Sequence, residues 1–188
     1  LALIIGGLVA AIFGVIIGIP ALRLNGDYLA IVTLAFGEII RSVLNNVKFT
    51  GGAGGLKGID KTSNFTIAYI LVILTLIVIT NVVRSRHGRA IMAIRDNIIA
   101  AQSVGINIVY YKLVAFVGAA FFAGVAGVLY GHNLGILKPS TFDFNKSIEI
   151  LVIVVLGGMG NITGSVIAAI IITLLPEVLR DLADYRML

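Results

Sequence analysis

Catalysis needs nucleophiles, acids and bases at fixed spacing, and this chain offers few of them. Its only two histidines are His87 and His132, it has no cysteine, and no His-Glu-x-x-His, Gly-x-Ser-x-Gly or paired-carboxylate spacing occurs. A disulfide framework and a thiolate metal site are thereby excluded. One stretch invites a phosphate reading: Thr50-Gly51-Gly52-Ala53-Gly54-Gly55-Leu56-Lys57-Gly58. The Walker pattern requires Gly-Lys followed by Ser or Thr, whereas here Leu56 precedes Lys57 and Gly58 follows it. Lys57 also stands where a dinucleotide fingerprint needs its third glycine, so the stretch reads as a loop. Two charged features remain. Glu38 and Arg41 lie three apart and can pair on one helical face, and Arg84, Arg86 and Arg89, with His87 among them and Arg95 beyond, form a dense basic run.

The composition sets the elements that must carry these residues. Of 188 residues 59% are apolar and 12% charged, against about 45–50% and 25% in soluble domains. Too little polar surface remains for a soluble domain, and too much apolar character for disorder. The net charge of +5 is interleaved with long apolar runs, so the polyanion it meets is a membrane surface, not nucleic acid.

Leu1 to Leu22 has no charged residue and matches the roughly 20 residues needed to cross hydrocarbon. Without an initiating Met, a basic n-region or a small-x-small cleavage site it reads as a span rather than a secretory signal. Its start within an apolar run reads as a piece of a longer chain. Gly6, Ala10, Gly14 and Gly18 recur every four residues, a ridge that lets another helix approach closely. Pro20 and Asn25-Gly26-Asp27 break the helix, with Asp27 the expected N-cap of the next run. That run, Tyr28 to Phe36, is too short to span alone and continues through Arg41, placing Glu38 and Arg41 either on a water-filled path or at an interface. Residues 45 to 64 form a polar, Gly-rich connection. Phe65 to Val83 is a clear span, and Val109 to Gly131 is another, interrupted only by Lys112, which can snorkel. The latter carries a second small-residue ridge: Ala115, Ala119, Ala123, Gly127 and Gly131. After a polar loop at 132 to 146, Ile148 to Leu156 and Ser165 to Leu175 are each shorter than a span and flank Gly157-Gly158-Met159-Gly160-Asn161-Ile162-Thr163-Gly164. One long helix broken by glycine and two short helices meeting at a turn both fit, the second better.

Arg84, Arg86, Arg89 and Arg95 beside a membrane end place that end in the cytoplasm. His87 then reads as a solvated loop residue and His132 as a span terminus on the other side. Between the two clear spans, Ala90 to Asn107 reads as a short amphipathic helix: Ile91, Ile94, Ile98 and Ala101 recur at helical spacing, and Gly105 ends it. At 1.5 Å per residue it would be roughly 22 Å long. It lacks the lysines and bulky aromatics of a headgroup-bound helix, so its small residues and mixed polar face suit a protein groove.

The string Gly88-Arg89-Ala90-Ile91-Met92-Ala93-Ile94-Arg95-Asp96-Asn97, with Ala100-Ala101, Gly105-Ile106, Lys112 and Ala115-Phe116, resembles the cytoplasmic coupling loop of permease subunits of branched-chain amino-acid ABC importers, of the LivM type. Gly26-Asp27-Tyr28-Leu29-Ala30-Ile31-Val32-Thr33-Leu34-Ala35-Phe36-Gly37-Glu38-Ile39, Thr50-Gly51-Gly52 with Gly55-Leu56, and Gly157-Gly158-Met159-Gly160-Asn161 with Gly164 match further signatures in order. The resemblance covers nearly the whole chain; early spans, and a last span after Tyr185-Arg186-Met187-Leu188, would be missing. It implies an all-α, polytopic helical membrane protein, one permease domain over residues 1–188 with a coupling loop at 90–107. It implies a second permease subunit, two cytoplasmic ATP-binding subunits that carry ATP and magnesium, and an extracytoplasmic substrate-binding protein, with no cofactor on this chain. Carried over by position, ATPase docking falls to Arg89, Arg95, Asp96, Asn97, Ala100, Ala101 and Gly105, and the pathway to Thr33, Glu38, Gly157, Gly158, Gly160 and Asn161. A largely apolar corridor suits small neutral or zwitterionic solutes, which leaves urea and short amides beside leucine, isoleucine and valine. An ion-driven carrier or channel would share the broken helices but has no need of the loop helix.

Overall fold

The computed structural model describes residues 1–24 and 26–183; the side chains of Asp27 and of residues 177–183 are not described. Asn25, part of the expected break, and Tyr185-Arg186-Met187-Leu188 lie outside the described residues. The chain divides into two compact units, Leu1–Ser140 and Thr141–Leu188.

In the first unit, α1 (Ala2–Ala21), α2 (Asp27–Asn46), α3 (Phe65–Arg84) and α6 (Ile108–Leu134) are long helices joined by shorter elements, among them α4 (Arg86–Asp96) and α5 (Ile98–Ser103). All four long helices are long and apolar enough to cross a membrane. The run from Tyr28 thus reaches spanning length by continuing past Arg41 to Asn46. Its N-cap is Gly26, at φ 63°, and not the expected Asp27, which is the first helical residue. α6 is capped by Asn107, whose side chain accepts from the Tyr110 amide at 3.1 Å, and stops at Gly135, φ 76°.

Large apolar side chains point outward from every span; Ile12, Ile31 and Ile77 are all more than half exposed. That is the expected inversion for helices solvated by lipid or by other protein. What packs is α1 on α6. A methyl group at Gly7 would meet Phe121, at Gly14 it would lie 2.8 Å from Ala120 Cβ, and at Gly18 2.8 Å from Leu113 Cδ1; at Gly6 it would collide with Val128. Ala10 lies on the same face, against Gly124. The α6 side differs from the expected ridge. Its contact face runs through Leu113, Val117, Ala120, Gly124 and Val128, while Ala115, Ala119 and Ala123 are exposed and nothing lies within 4 Å of a methyl group at Gly127. Only one helix of a pair needs the flat side. α1 supplies it, and α6 lays side chains into it, with Gly124 where the two backbones come closest. Gly131 packs on Leu137 instead.

At the end of α6 opposite α4 and α5, the connection read as a plain loop has structure. Two 3-10 turns (Lys48–Thr50 and Gly52–Gly54) lead to β1 (Leu56–Lys57), which pairs antiparallel with β2 (Ile136–Leu137). His132, in the last turn of α6, ties the same loop by Nδ1 contacts to the Asp60 carbonyl at 2.8 Å and Thr62 Oγ1 at 3.3 Å.

In the second unit, α7 (Phe144–Gly157) starts at Asp143, whose side chain accepts from the Lys146 amide at 2.9 Å. α8 (Ile162–Ala183) follows the turn, so two helices are formed rather than one, and α8 runs well past the expected Leu175, through Pro176.

Gly124→Val should be costly where Gly127→Ala is not. The first forces a branched side chain into α1, costing about 1–3 kcal/mol; the second adds a methyl group in open space at a helical site. Denaturation of the purified protein in detergent should separate the two variants clearly.

Candidate functional site

The basic run of the sequence folds as an elbow. Ser85 ends α3 and caps α4: its hydroxyl donates to the Val82 carbonyl at 2.6 Å and accepts from the Gly88 amide at 3.2 Å. Gly88 is buried, and a methyl group there would collide with the carbonyl oxygens of Val82 and Val83. The chain can turn this sharply out of the span because position 88 has no side chain. His87, expected as a solvated loop residue, lies in α4 with its ring 6.0 Å from that of Tyr111 on α6. Arg89 donates to the Arg84 carbonyl at 3.0 Å, across the elbow.

The single helix expected over Ala90 to Asn107 is two helices, α4 beginning at Arg86 and α5 ending at Ser103. The break is Asn97, in extended conformation (φ −156°, ψ 107°), with its side-chain oxygen accepting from the Ala100 amide at 3.0 Å. An asparagine can satisfy the first free amides of a new helix better than it can continue an old one, which is why it stops α4 and starts α5. Gly105, φ 85°, closes α5: its amide bonds to Gln102 and that of Ile106 to Ala101, the left-handed helix end that glycine favours.

This arrangement sorts the candidate docking residues. Ile94 and Ala101 are buried inside the unit; Ala101 is therefore a packing residue that no partner can touch, contrary to expectation. Arg89, Arg95, Asp96, Asn97, Ala100 and Gly105 are exposed. Arg95 pairs with its neighbour Asp96 at 2.9 Å, both well exposed, a contact worth about 0.2–1 kcal/mol that a partner can exchange cheaply. Two residues escaped the sequence reading: Ile99 and Val104, each 80% exposed. With Ile98 on the inward face by spacing, its neighbour Ile99 is rotated about 100° away, and that adjacency was the available signal.

The other candidates fall elsewhere. Thr33 and Glu38 both lie on α2 but five residues apart, on different faces. The Thr33 hydroxyl donates to Leu29 and Ala30 carbonyls of its own helix. Glu38 pairs with Arg41 at 2.6 Å, the two side chains 40% and 34% exposed. In the second unit, Gly157, Gly158, Gly160 and Asn161 form one turn. Gly158 and Gly160 have φ 86° and 89°. The Asn161 side chain accepts from Thr163 Oγ1 at 2.7 Å and the Gly164 amide at 3.3 Å. Gly157 and Gly164 touch backbone to backbone, which makes Gly164 a further required glycine.

Four helices of spanning length, two of them, α1 and α6, packed through glycine and two, α3 and α6, joined by a basic, partly polar elbow, define a multi-pass helical membrane protein. Residues 1–187 match the family described as branched-chain amino acid transport system / permease component, and the chain belongs to that family. It is 40% identical to the "High-affinity branched-chain amino acid transport system permease protein LivM" of Escherichia coli, over an alignment of 219 positions covering 98% of this chain and 52% of that protein. It is 24% identical to the "Probable branched-chain amino acid transport permease protein LivM" of Methanocaldococcus jannaschii, covering 99% of this chain and 57% of that one. It is 33% identical to "High-affinity branched-chain amino acid transport system permease protein LivH" of Salmonella typhimurium, covering 59% of this chain and 36% of that one. The chain thus spans about half the length of the LivM relatives. No solved structure matches it. The family is one of transport permeases, not of enzymes.

Gly88→Ala should destabilise the elbow by about 1–3 kcal/mol, because the clash is with backbone that cannot step aside. Hydrogen exchange across residues 86–103 should rise in that variant and stay unchanged across α1.

Proposed function

We propose that this chain is a membrane-spanning permease subunit of an ATP-driven importer of branched-chain amino acids in the cytoplasmic membrane. The observation that carries the reading is the outward face of α4 and α5. It is fastened between α3 and α6, yet presents Ile99 and Val104 almost bare to solvent beside an exchangeable Arg95–Asp96 pair. Exposed apolar side chains held on a fixed face beside the basic run offer anchors to a protein partner. An ATP-binding subunit seated on that face would move α3 and α6 together, opening the pathway alternately to each side. Hydrolysis, with its ATP and magnesium, belongs to two such subunits.

The names of the relatives support the substrate and the partners. LivM and LivH are both called permease proteins of a high-affinity branched-chain amino acid transport system, which fits a second permease beside this one. The glycine-stapled loops at the far end of α6 would meet an extracytoplasmic substrate-binding protein. The pathway is read along the polar stripe of α2, where Gly37, Glu38 and Arg41 lie together, because charge at membrane depth must face protein or water. Thr33 is proposed as a lining residue on another face of α2, and Gly157, Gly158, Gly160 and Asn161 as a hinge within the second unit.

Ile99→Asp combined with Val104→Asp should weaken ATPase association by roughly thirtyfold, as loss of buried apolar anchors does, while the spans stay folded. Co-purification tests this: full ATPase recovery with the double variant contradicts the docking assignment. Glu38→Gln should reduce uptake of radiolabelled leucine while leaving assembly intact, and normal uptake would remove Glu38 from the pathway. Uptake of urea in place of leucine would contradict the substrate class.

A further inference from the structure

Where α1 ends and α6 begins, the unit holds a groove of about 440 Å³ whose walls are apolar: Leu22, Leu29, Ile91, Ile98 and Phe116, with Lys112 and Arg95 at its edge. A second cavity of about 530 Å³ adjoins it, sharing Leu22, Ile98 and Lys112 and adding Arg23. Among the described residues no carboxylate lies within ion-pair distance of Arg23 or Lys112, and Arg95 has only Asp96. The described rim is therefore net positive over an apolar floor, beside the C-terminal end of α1 and the N-terminal end of α6.

The groove has a continuation. Ala115 lines it, and Ala119 and Ala123 carry the same exposed, smooth face further along α6, away from the α1 contact. Lys112 to Ala123 covers about 16 Å at 1.5 Å per residue, close to half of the roughly 30 Å hydrocarbon core. That is the depth of one leaflet.

We propose that this groove binds an acidic phospholipid, its phosphate held by Lys112 and Arg23 and one acyl chain laid along Ala115, Ala119 and Ala123. Charge decides the class of ligand. An anionic headgroup neutralises the rim, whereas the ammonium of a zwitterionic lipid would bring a cation back to it. The small side chains decide the track, since a bulky residue at any of the three would fill the space the chain needs. The bound lipid would brace the packing of α4 and α5 on α6, and the site stands whether or not that face meets an ATPase.

The chain contains no tryptophan, so Phe116→Trp, which exchanges one aromatic ring of the groove wall for another and leaves the three alanines small, gives a single reporter in the full chain. It is reconstituted in phosphatidylcholine vesicles containing equal mole fractions of either brominated phosphatidylglycerol or brominated phosphatidylcholine. Brominated phosphatidylglycerol should quench the reporter more strongly, reflecting a preference of about fivefold for each basic side chain engaged. A reporter at Ile73→Trp, on the exposed side of α3, should be quenched equally by both lipids. Arg23→Gln with Lys112→Gln should abolish the preference at position 116 with unchanged helical circular dichroism, and Arg23→Lys with Lys112→Arg should retain it. Equal quenching at 116, a preference that survives the double glutamine variant, or no quenching by either lipid would each overturn the proposal, the last because protein would then cover the groove.

Discussion

Two apolar helices gain nothing from each other over lipid unless their backbones come close, and here the approach of α1 to α6 depends on glycine. Gly6, Gly7, Gly14 and Gly18 leave a flat strip into which Leu113, Phe121, Val125 and Val128 of α6 fit. The elbow of α4 and α5 and the paired strands are fastened to this pair. Ala21 and Leu22, where α1 ends, are among the few buried residues, and Ile94 and Ala101 of α4 and α5 share that distinction. At the opposite end Gly131 accommodates Leu137 of β2, so the loop staple is seated on α6 too. The packed helix pair is thus a frame with an attachment at each end.

Under the proposed function, the attachment at the basic end is the one that meets a partner. Its inward face is held by burial and by the Ser85, Asn97 and Gly105 backbone devices, each of which fixes where a helix starts or stops. Its outward face is held by almost nothing: one exposed ion pair between neighbours and two bare apolar side chains. A surface of that kind loses little when a partner covers it, while the fixed inward face passes any displacement to α3 and α6. The Glu38–Arg41 pair on α2 obeys a different constraint, since charge within a span tolerates lipid poorly.

How much of this was legible in the sequence varied with the kind of signal. Span positions were read within about three residues for α1, α3 and α6, because an uncharged run of spanning length admits few alternatives. The turn between α7 and α8 was also legible, since four glycines and an asparagine in eight residues cannot continue a helix cheaply. The phase of α6 was not. Ala115, Ala119, Ala123 and Gly127 form a convincing ridge, but a ridge states only that a helix can be approached there, not by what, and α1 brings its own. Asn97 was read as part of a polar face although it caps α5, as a side chain that can serve either way leaves no trace in periodicity. Ala101 was assigned to docking by position alone, where its neighbours' spacing already put it inward. The two-residue strands lie below the length at which any pattern exists.

The central claim is that α5 is fixed to the α1–α6 frame and moves with it. In a chain without cysteine, spin labels at Ser103→Cys on α5 and Lys138→Cys beside β2 report that attachment along the length of α6. Double electron–electron resonance on this chain assembled with the proposed ATP-binding subunits, with and without ATP turnover, should give one narrow distance that does not change. A distance that shifts or broadens when ATP is added would mean that the elbow flexes independently of the spans, and would contradict the account.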